Sequence, residues 1–313
     1  MTKVTPLPII AGALFACGLS ATPAAALSGR TWVSGHGTDS GACTLAAPCK
    51  TFAFALTQTA PPGEIDVLDP GAFGKVTIPS SISIINDGVG VAAIGIGSGD
   101  AITITAGATD SIHLRGLIIE GVTGATNGIV FKSGGNLAIE NCVLRNFVGS
   151  GISISPSTSS SFSVSNTIAS NNNVGIIVQP TGSAALTGVF SNTTATTNLN
   201  GIVVNGAGTT GTLNVSIADS NLSNNSSGSG VLANSVAANP PVNVMLRNVV
   251  ASNNGGGLVA QSNTIFRVAH SVITGNTTGV SLAGGGIINS YGDNDIDGNT
   301  SDNTGVLTVI LQH

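Results

Sequence analysis

The sequence has 313 residues, of which 42% are apolar and 7% are charged, and its formal net charge at pH 7 is −5. So much apolar and so little charged sequence excludes intrinsic disorder. Nine lysines and arginines against fourteen acids provide no basic patch to neutralise phosphates, so we predict no nucleic-acid partner.

The first 26 residues have the features of a secretory signal peptide. Lys3 gives a positive start, Leu7 to Leu19 is apolar, and Ala24 to Ala26 is a small-residue cleavage site. The apolar run is too short to span a bilayer, and no other segment comes close. A lipoprotein cleavage box at Cys17 is an alternative, but the Ala-rich site fits better. We therefore predict a secreted, extracellular or cell-surface protein, with a periplasmic location as the alternative and no membrane span.

Residues 27–63 are predicted to form an N-terminal strand, a disulfide loop and a capping helix. Cys43 and Cys49 bracket a five-residue loop and should be joined by a disulfide in an oxidising compartment. In the entropic model a loop this small gains about 2–3 kcal/mol. Cys142 lies in a later strand and is predicted to be a buried, unreactive thiol.

The capping helix is predicted between Thr51 and Thr59. Phe52, Leu56 and Ala55 fall on one face of it, and the prolines at 61 and 62 are predicted to end it. The first coil of a stacked fold would otherwise expose its core and its unpaired strand edges. A short amphipathic helix across that opening covers both.

Residues 64–313 contain a repeat with a period of 22 to 29 residues. A glycine followed by an apolar residue marks each repeat, at Gly128, Gly151, Gly175, Gly201, Gly230, Gly257, Gly279 and Gly305. A period in this range is typical of short structural units that bury their apolar sides against one another. We expect roughly nine or ten such coils in one domain.

Two columns of amide-rich positions accompany the glycines. The first is predicted to be a structural ladder and includes Asn141, Asn166, Asn192, Asp219 and Asn248. The second contains Asn146, Asn171, Asn198, Asn224, Asn253, Asn276 and Asn299. Stacked amides bond to each other and to turn backbone, so we expect that removing a ladder amide leaves buried groups unpaired.

The segments between the turns alternate with period two, as in Ile152-Ser153-Ile154, which is strand periodicity. Glycine, asparagine, serine and threonine fill the connections and favour turns. Short strands with no helix between them predict an all-β fold, in which the chain coils into a parallel β-helix, a solenoid whose coils stack about 4.8 Å apart.

The N-terminal segment contains four motifs in a fixed order, which are Trp32-Val33-Ser34-Gly35, Gly37-Thr38-Asp39-Ser40, Pro48-Cys49-Lys50-Thr51-Phe52 and Pro62-Gly63-Glu64-Ile65-Asp66-Val67. This order resembles the start of secreted right-handed parallel β-helix proteins of the pectin-lyase-like superfamily. The resemblance covers nearly all of the chain after residue 26 and implies a right-handed β-helix with a short N-terminal capping helix. The superfamily includes polysaccharide lyases, polygalacturonases, epimerases, adhesins and phage tailspikes, so the resemblance implies less about activity.

Membership would place catalytic charges together on the face of neighbouring coils. A lyase of this superfamily needs an arginine or lysine base with acids that hold calcium, and a hydrolase needs paired carboxylates. Arg115 and Glu140 occupy one column one coil apart, and Glu120 and Arg145 occupy another with the signs reversed. We interpret the four residues as two surface ion pairs, with a catalytic cluster as the alternative.

A second acidic cluster, Asp293, Asp295 and Asp297, imitates the first half of a calcium loop. The position that should carry a bidentate glutamate is Thr304, so the loop is incomplete. We predict that the cluster caps the last coil and that the protein needs no metal or other cofactor, with Ca²⁺ as the alternative.

The sequence favours a non-catalytic surface solenoid, adhesin-like or weakly glycan-binding. The alternative is a polysaccharide lyase or glycoside hydrolase acting on an acidic polysaccharide. His113 and His270 fall in non-equivalent columns, so no serine–histidine–acid site can be assembled from them. One tryptophan and one tyrosine leave few rings for stacking sugars. The predicted partner is therefore a polysaccharide or cell-surface glycan, bound without an aromatic platform.

Overall fold

The structure is a computed structural model that describes residues 1–3 and 27–311. The predicted signal peptide and Cys17 therefore lie outside the described residues, apart from the first three positions. The described residues form one helix, α1 (Phe52–Gln58), and 31 strands. The strands are β1 (Ser28–Val33), β2 (Thr59–Val67), β3 (Gly71–Ala72), β4 (Val76–Ile78), β5 (Ile82–Ile85), β6 (Ala92–Ile96), β7 (Gly99–Thr105), β8 (Ser111–Arg115), β9 (Leu117–Gly121), β10 (Ala125–Ser133), β11 (Asn136–Glu140), β12 (Val143–Arg145), β13 (Ser150–Ile154), β14 (Ser160–Ser165), β15 (Ile168–Ser170), β16 (Val174–Val178), β17 (Leu186–Ser191), β18 (Thr194–Thr196), β19 (Asn200–Asn205), β20 (Leu213–Ala218), β21 (Ser229–Asn234), β22 (Val242–Arg247), β23 (Val250–Ser252), β24 (Gly256–Ala260), β25 (Thr264–Ala269), β26 (Val272–Thr274), β27 (Thr278–Leu282), β28 (Ile287–Ser290), β29 (Asp295–Ile296), β30 (Ser301–Thr304) and β31 (Thr308–Val309).

The strands build a solenoid with three faces, and neighbouring strands on each face run parallel. Face 1 is a 12-stranded sheet in the order β1-β2-β5-β8-β11-β14-β17-β20-β22-β25-β28-β31. Face 2 consists of two sheets, β3-β6-β9-β12-β15-β18 and β23-β26-β29. Asn221 connects them through one β-bridge to each. Face 3 is the ten-stranded sheet β4-β7-β10-β13-β16-β19-β21-β24-β27-β30. The chain visits the faces in this order in each coil, so the predicted parallel β-helix is confirmed.

The period-two alternation aligns the coils, because every inward position stacks on its equivalent one coil away. Leu114 pairs with Ile139, and Ile139 pairs with Val164. The core column at this position is at most 1% exposed, and it contains Leu114, Ile139, Val164, Phe190, Ile217, Leu246 and Val268. Phe131, Phe162 and Phe266 lie in the same continuous core.

The first turn, from face 1 to face 2, carries the predicted ladder Asn141, Asn166, Asn192, Asp219 and Asn248. These residues have φ between 48° and 53°, the left-handed conformation that asparagine tolerates better than most residues. Their side chains are exposed, although Asn192 Nδ2 donates to Asn166 Oδ1 at 2.6 Å. Asn248 Nδ2 donates to Asp219 Oδ1 in the same way, also at 2.6 Å. Side chains of this column therefore bond between coils as expected, but they are exposed, so the expectation of buried groups at this turn is wrong.

The buried ladder lies at the second turn, from face 2 to face 3. Its buried members are Asn172, Asn198, Asn225, Asn254 and Asn276, and the half-buried Asn299 ends it. In each step the backbone N–H of one asparagine donates to the side-chain oxygen of the next, at 2.8 to 3.0 Å. The predicted second column named Asn171, Asn224 and Asn253, each one residue before a true member. Those neighbours take the left-handed turn conformation instead.

The helix α1 closes the N-terminal end of the solenoid. Thr51 caps it by accepting a hydrogen bond from the Phe54 N–H at 3.1 Å. Phe52 is buried, with its ring centroid 4.9 Å from that of Phe73. The helix ends at Gln58 and β2 begins at once, so the two prolines lie inside a strand and do not end the helix as predicted.

Cys43 and Cys49 form a disulfide, whereas Cys142 is a free, buried thiol. Desolvation raises the pKa of the Cys142 thiol to about 12, so it stays protonated at neutral pH. We expect a thiol reagent to modify none of these three cysteines in the native protein. After denaturation without reductant, it should modify Cys142 alone. Mass spectrometry of the labelled protein checks this, and native modification of Cys43 and Cys49 would contradict the disulfide.

Candidate functional site

The four charged candidates from the sequence lie on two faces. Glu120 and Arg145 sit opposite each other on β9 and β12 of face 2. A guanidinium nitrogen of Arg145 is 3.3 Å from a carboxylate oxygen of Glu120, as the column analysis predicts. Arg115 and Glu140 lie on β8 and β11 of face 1. The structure therefore does not gather the four into one catalytic cluster.

The predicted ion pair between Arg115 and Glu140 is wrong. Arg115 instead contacts Asp87, 3.0 Å away in the turn after β5. Glu140 approaches His113, with 3.5 Å between Oε2 and Nε2. Arg115 and Glu140 therefore contact Asp87 and His113 instead of each other. Both of these partners lie on the surface beside them.

Reversing the charge of Arg115, by Arg115→Glu, should lower the free energy of unfolding by well under about 1 kcal/mol. The side chains of Arg115 and Asp87 are 40% and 64% exposed, so water already solvates both charges. Chemical denaturation of the variant and the parent gives the difference. A loss of several kcal/mol would contradict the exposed position.

The N-terminal part of face 1 is crowded with charges that neutralise one another. Arg30 pairs with both Glu64 and Asp66 and lies over the ring of Trp32 at 5.9 Å. Burial, helped by the nearby Asp66 charge, raises the pKa of Glu64 above its usual value. Arg30 therefore already has two carboxylate partners, which leaves it poorly suited to bind an anionic ligand.

Beside this cluster lies a shallow groove of about 370 Å³, which we call the histidine groove. Its lining includes Ser83, Ser111, His113, Asn136 and Glu140. The His113 imidazole faces Glu140, so the groove holds one base and one acid in contact. The sequence alignment separated these residues into different columns, and the structure brings them together across neighbouring strands.

Further along face 1 lies a second groove, of about 470 Å³, which we call the arginine groove. Its exposed lining consists of hydroxyl, amide and aliphatic groups with one charge, from Ser161, Thr187, Val189, Asn214, Ser216, Asn243, Met245 and Arg267. These residues come from β14, β17, β20, β22 and β25, which are five consecutive strands of face 1. The groove therefore crosses several coils and presents a repeated set of polar groups.

Gly188 shapes the floor of the arginine groove. A β-carbon at this inward position would lie 2.0 Å from the ring of Phe162, so only glycine lets that ring fit beneath β17. The ring also packs against Phe190, with centroids 5.1 Å apart. The floor is therefore apolar and closely packed, while the polar side chains stand around it.

Arg267 and its neighbour Arg247 have no ion pair with any described residue. A nitrogen of Arg267 donates to Asn243 Oδ1 at 3.3 Å, which leaves most of its donors available. Arg247 stands on β22, adjacent to β25 on the same face. Residues 151–290 contain one acid, Asp219, which lies on the first turn. The arginine groove is thus a locally cationic surface on an acidic protein.

The sequence analysis missed these two arginines because it looked for opposite charges in neighbouring coils. The pattern that identifies them is a cation with no charged residue opposite it in either neighbouring coil. Arg267 stands opposite Met245 and Asn289, and Arg247 stands opposite two alanines. A cation whose neighbours in adjacent coils are uncharged has no acid directly beside it in the sheet, and this could have been read from the repeat alignment.

The C-terminal acids are tied into the turn. The backbone N–H of His270 donates to Asp293 Oδ1 at 3.1 Å, and its ring Nδ1 is 3.3 Å from Asp293 Oδ2. Asp295 begins the short strand β29, and Asp297 accepts a hydrogen bond from the Gly298 N–H. In residues 27–311, no three His, Cys, Asp or Glu side chains are grouped as a metal site. Capping of the last coil by Asp293, Asp295 and Asp297 stays the prediction, with calcium binding as its untested alternative.

None of the helices described has the length and apolar character needed to cross a membrane.

No family model matches the chain, and no curated protein does. Among solved structures, the pectate lyase Pel9A aligns with a TM-score of 0.51 and 15% identity, covering 90% of this chain and 77% of that one. The A-module of the mannuronan C-5 epimerase AlgE4 from Azotobacter vinelandii aligns with a TM-score of 0.49 and 16% identity, covering 80% and 91%. At such low identity the likeness to Pel9A concerns the fold alone. The chain therefore has a right-handed parallel β-helix fold, as Pel9A does.

Proposed function

We propose that the protein is an exported glycan-binding solenoid that holds a stretch of acidic polysaccharide in the arginine groove. The observation that carries this proposal is the pair Arg247 and Arg267, two cations without acidic partners beside a groove of amides and hydroxyls. Guanidinium groups bind carboxylates through two parallel hydrogen bonds, which favours an anionic ligand. The Cys43–Cys49 disulfide supports an oxidising, extracellular location.

The shape of the groove supports a polymer. It runs across consecutive coils, and equivalent side chains recur about every 4.8 Å along it. Asn214 pairs with Asn243, and Thr187 pairs with Asn214, in register. Side-chain amides both donate and accept hydrogen bonds, as sugar hydroxyls do. Pel9A, which shares the fold, is by its name a lyase of pectate, an acidic polysaccharide.

Binding without cleavage is the form of the function that the groove favours. Arg267 is the one titratable side chain in its described lining. Hydrolysis of a glycosidic bond requires a paired acid and base, or an acid and a nucleophile, and the groove has no such pair. Held by hydrogen bonds and charge, and without aromatic stacking, the glycan should bind weakly and in a salt-dependent way.

The test is a binding titration of the secreted protein with polygalacturonate, alginate and the neutral polymer dextran at two salt concentrations. We expect binding to the two acidic polymers, weakened by added salt, and none to dextran. The same mixtures are assayed for unsaturated and reducing ends, where we expect no release. Equal affinity for dextran, or no binding to any polymer, would refute the proposal. Release of unsaturated ends would replace binding with lyase activity.

A further inference from the structure

A cleft of about 650 Å³ opens between the capping helix α1 and the first strands of face 3, β4 and β7. We call it the helix cleft. It is larger than either groove on face 1, and its volume falls within the range of about 300–1,000 Å³ that small-molecule sites occupy. None of its described lining residues belongs to face 1, so a ligand bound there leaves the arginine groove open.

One wall of the helix cleft is the outer side of α1. The helix turns Phe52 and Ala55 into the core, where both are fully buried, and this leaves Ala53, Leu56 and Thr57 along the cleft. Positions three and four residues apart share one side of a helix, which explains why these three line the cleft together. Leu56 is half-buried and packs against the core, so the wall offers an apolar contact to a ligand.

The opposite wall is the outer surface of β4 and β7. Thr77 and Thr103 stand opposite each other on these strands, and both line the cleft. Neither hydroxyl makes a hydrogen bond to another described residue, although each can both donate and accept. Pro79, which follows β4, adds apolar surface beside them. This wall can therefore bond the polar groups of a ligand, but it does not by itself select a charge.

Two opposite charges line the helix cleft, Lys75 just before β4 and Asp100 on β7. They form no ion pair with each other or with any other residue of the described chain. Asp100 Oδ1 accepts a hydrogen bond from Asn127 at 2.8 Å, which leaves its other carboxylate oxygen free. The Lys75 ammonium has no partner among the residues described. A ligand that carries both charges would neutralise both groups at once.

We propose that the helix cleft binds a small zwitterion, namely a free α-amino acid with an apolar side chain. The carboxylate of the ligand would lie against the Lys75 ammonium, and its ammonium against the free oxygen of Asp100, both as charge-assisted hydrogen bonds. The apolar side chain would pack against Leu56, while Thr77 and Thr103 donate to the remaining carboxylate oxygen. An anion or a cation alone would leave one of the two charges without a partner, so the cleft favours the molecule that carries both.

Isothermal titration calorimetry of the protein with L-leucine tests the proposal. We expect a dissociation constant between about 10 μM and about 1 mM, since a small ligand with two ionic contacts gains limited affinity. Leucinamide lacks the carboxylate and N-acetyl-leucine lacks the ammonium, so each should bind at least about tenfold more weakly than L-leucine. No binding of L-leucine at concentrations up to about 10 mM, or equal binding of all three compounds, overturns the proposal.

Substitutions of the two charged residues locate the site. Lys75→Gln and Asp100→Asn each remove one charge and should weaken the binding of L-leucine by about tenfold or more. Asparagine at position 100 keeps an oxygen that accepts from Asn127, so the contact between the strands survives. Lys132→Gln is the matched control, because Lys132 is also an exposed lysine on face 3 but lies outside the lining of the helix cleft. The control should bind L-leucine as the parent does, and a Lys75→Gln variant that binds equally well counts against the helix cleft.

Discussion

Replacing Arg267 by glutamine is expected to weaken the binding of polygalacturonate by about 10- to 100-fold. The guanidinium of Arg267 is the charged group in the lining of the arginine groove, and no acid of the described chain pairs with it. A hydrogen bond to a charged group contributes about 1.5–3 kcal/mol, and each 1.4 kcal/mol is a factor of ten. Glutamine retains a donor for Asn243, so the fold should not change. Calorimetric titration of both proteins measures the loss.

Arg115→Gln is the matched control for this experiment. Arg115 also stands on face 1, but Asp87 already neutralises it at 3.0 Å. The control should bind polygalacturonate as the parent does, with the same dependence on salt. Arg267→Gln should reduce that dependence, because one fewer charge contacts the polymer. If the two variants lose affinity equally, the ligand responds to overall charge and not to the arginine groove.

The largest effect on stability is expected from the buried ladder. Asn172→Ala should lower the free energy of unfolding of its region by about 2–5 kcal/mol, because two or more groups lose their partners at about 1–3 kcal/mol each. The Phe147 N–H donates to Asn172 Oδ1 at 3.0 Å, and the Asn172 amide donates to Asn198 Oδ1 at 3.1 Å and to the Leu144 carbonyl. All of these groups are buried, so water cannot replace the lost hydrogen bonds.

Asn173→Ala is the matched control, since Asn173 is the next residue but its side chain is exposed and bonds to no other described residue. Its variant should unfold within about 0.5 kcal/mol of the parent. Native-state hydrogen exchange around β12 to β16 is the right measurement, because a solenoid can lose stability in neighbouring coils without unfolding as a whole. Equal protection in the two variants would show that the ladder contributes little.

Much of the fold follows from the sequence, because coil stacking repeats one physical requirement many times. Each inward position must be apolar, and each turn must contain a residue that tolerates its backbone conformation. The period, the strand alternation and the capping helix are therefore visible in a single chain. The disulfide loop is visible for a similar reason, since Cys43 and Cys49 are close in sequence.

The exact turn register is harder to predict, because neighbouring residues at the second turn are both asparagines. Asn171 and Asn172 are the same residue type but have different roles. Asn171 takes the left-handed turn conformation, and Asn172 belongs to the buried ladder. The alignment chose the first, since nothing in the side chain distinguishes them. Where the turn has only one asparagine, as at Asn276, the predicted second column contains the residue that belongs to the buried ladder.

The candidate site was the least predictable part. The sequence predicts that Arg115 pairs with Glu140 one coil away. In the structure Arg115 instead contacts Asp87, which lies in a turn outside the repeat alignment. The arginine groove depends on Gly188 making room for Phe162, and on several coils keeping their outward side chains short. These are properties of the surface that stacked coils make together, and no single repeat displays them.

A crystal structure of the protein with an acidic oligosaccharide, such as a galacturonate tetramer, tests the central claim most directly. We expect the oligosaccharide to lie along the arginine groove across β17 to β25, with a carboxylate within hydrogen-bond distance of Arg267 and hydroxyls bonded to Asn214 and Asn243. An oligosaccharide bound in the histidine groove, between His113 and Glu140, or on face 3 without contact to Arg267, would contradict it.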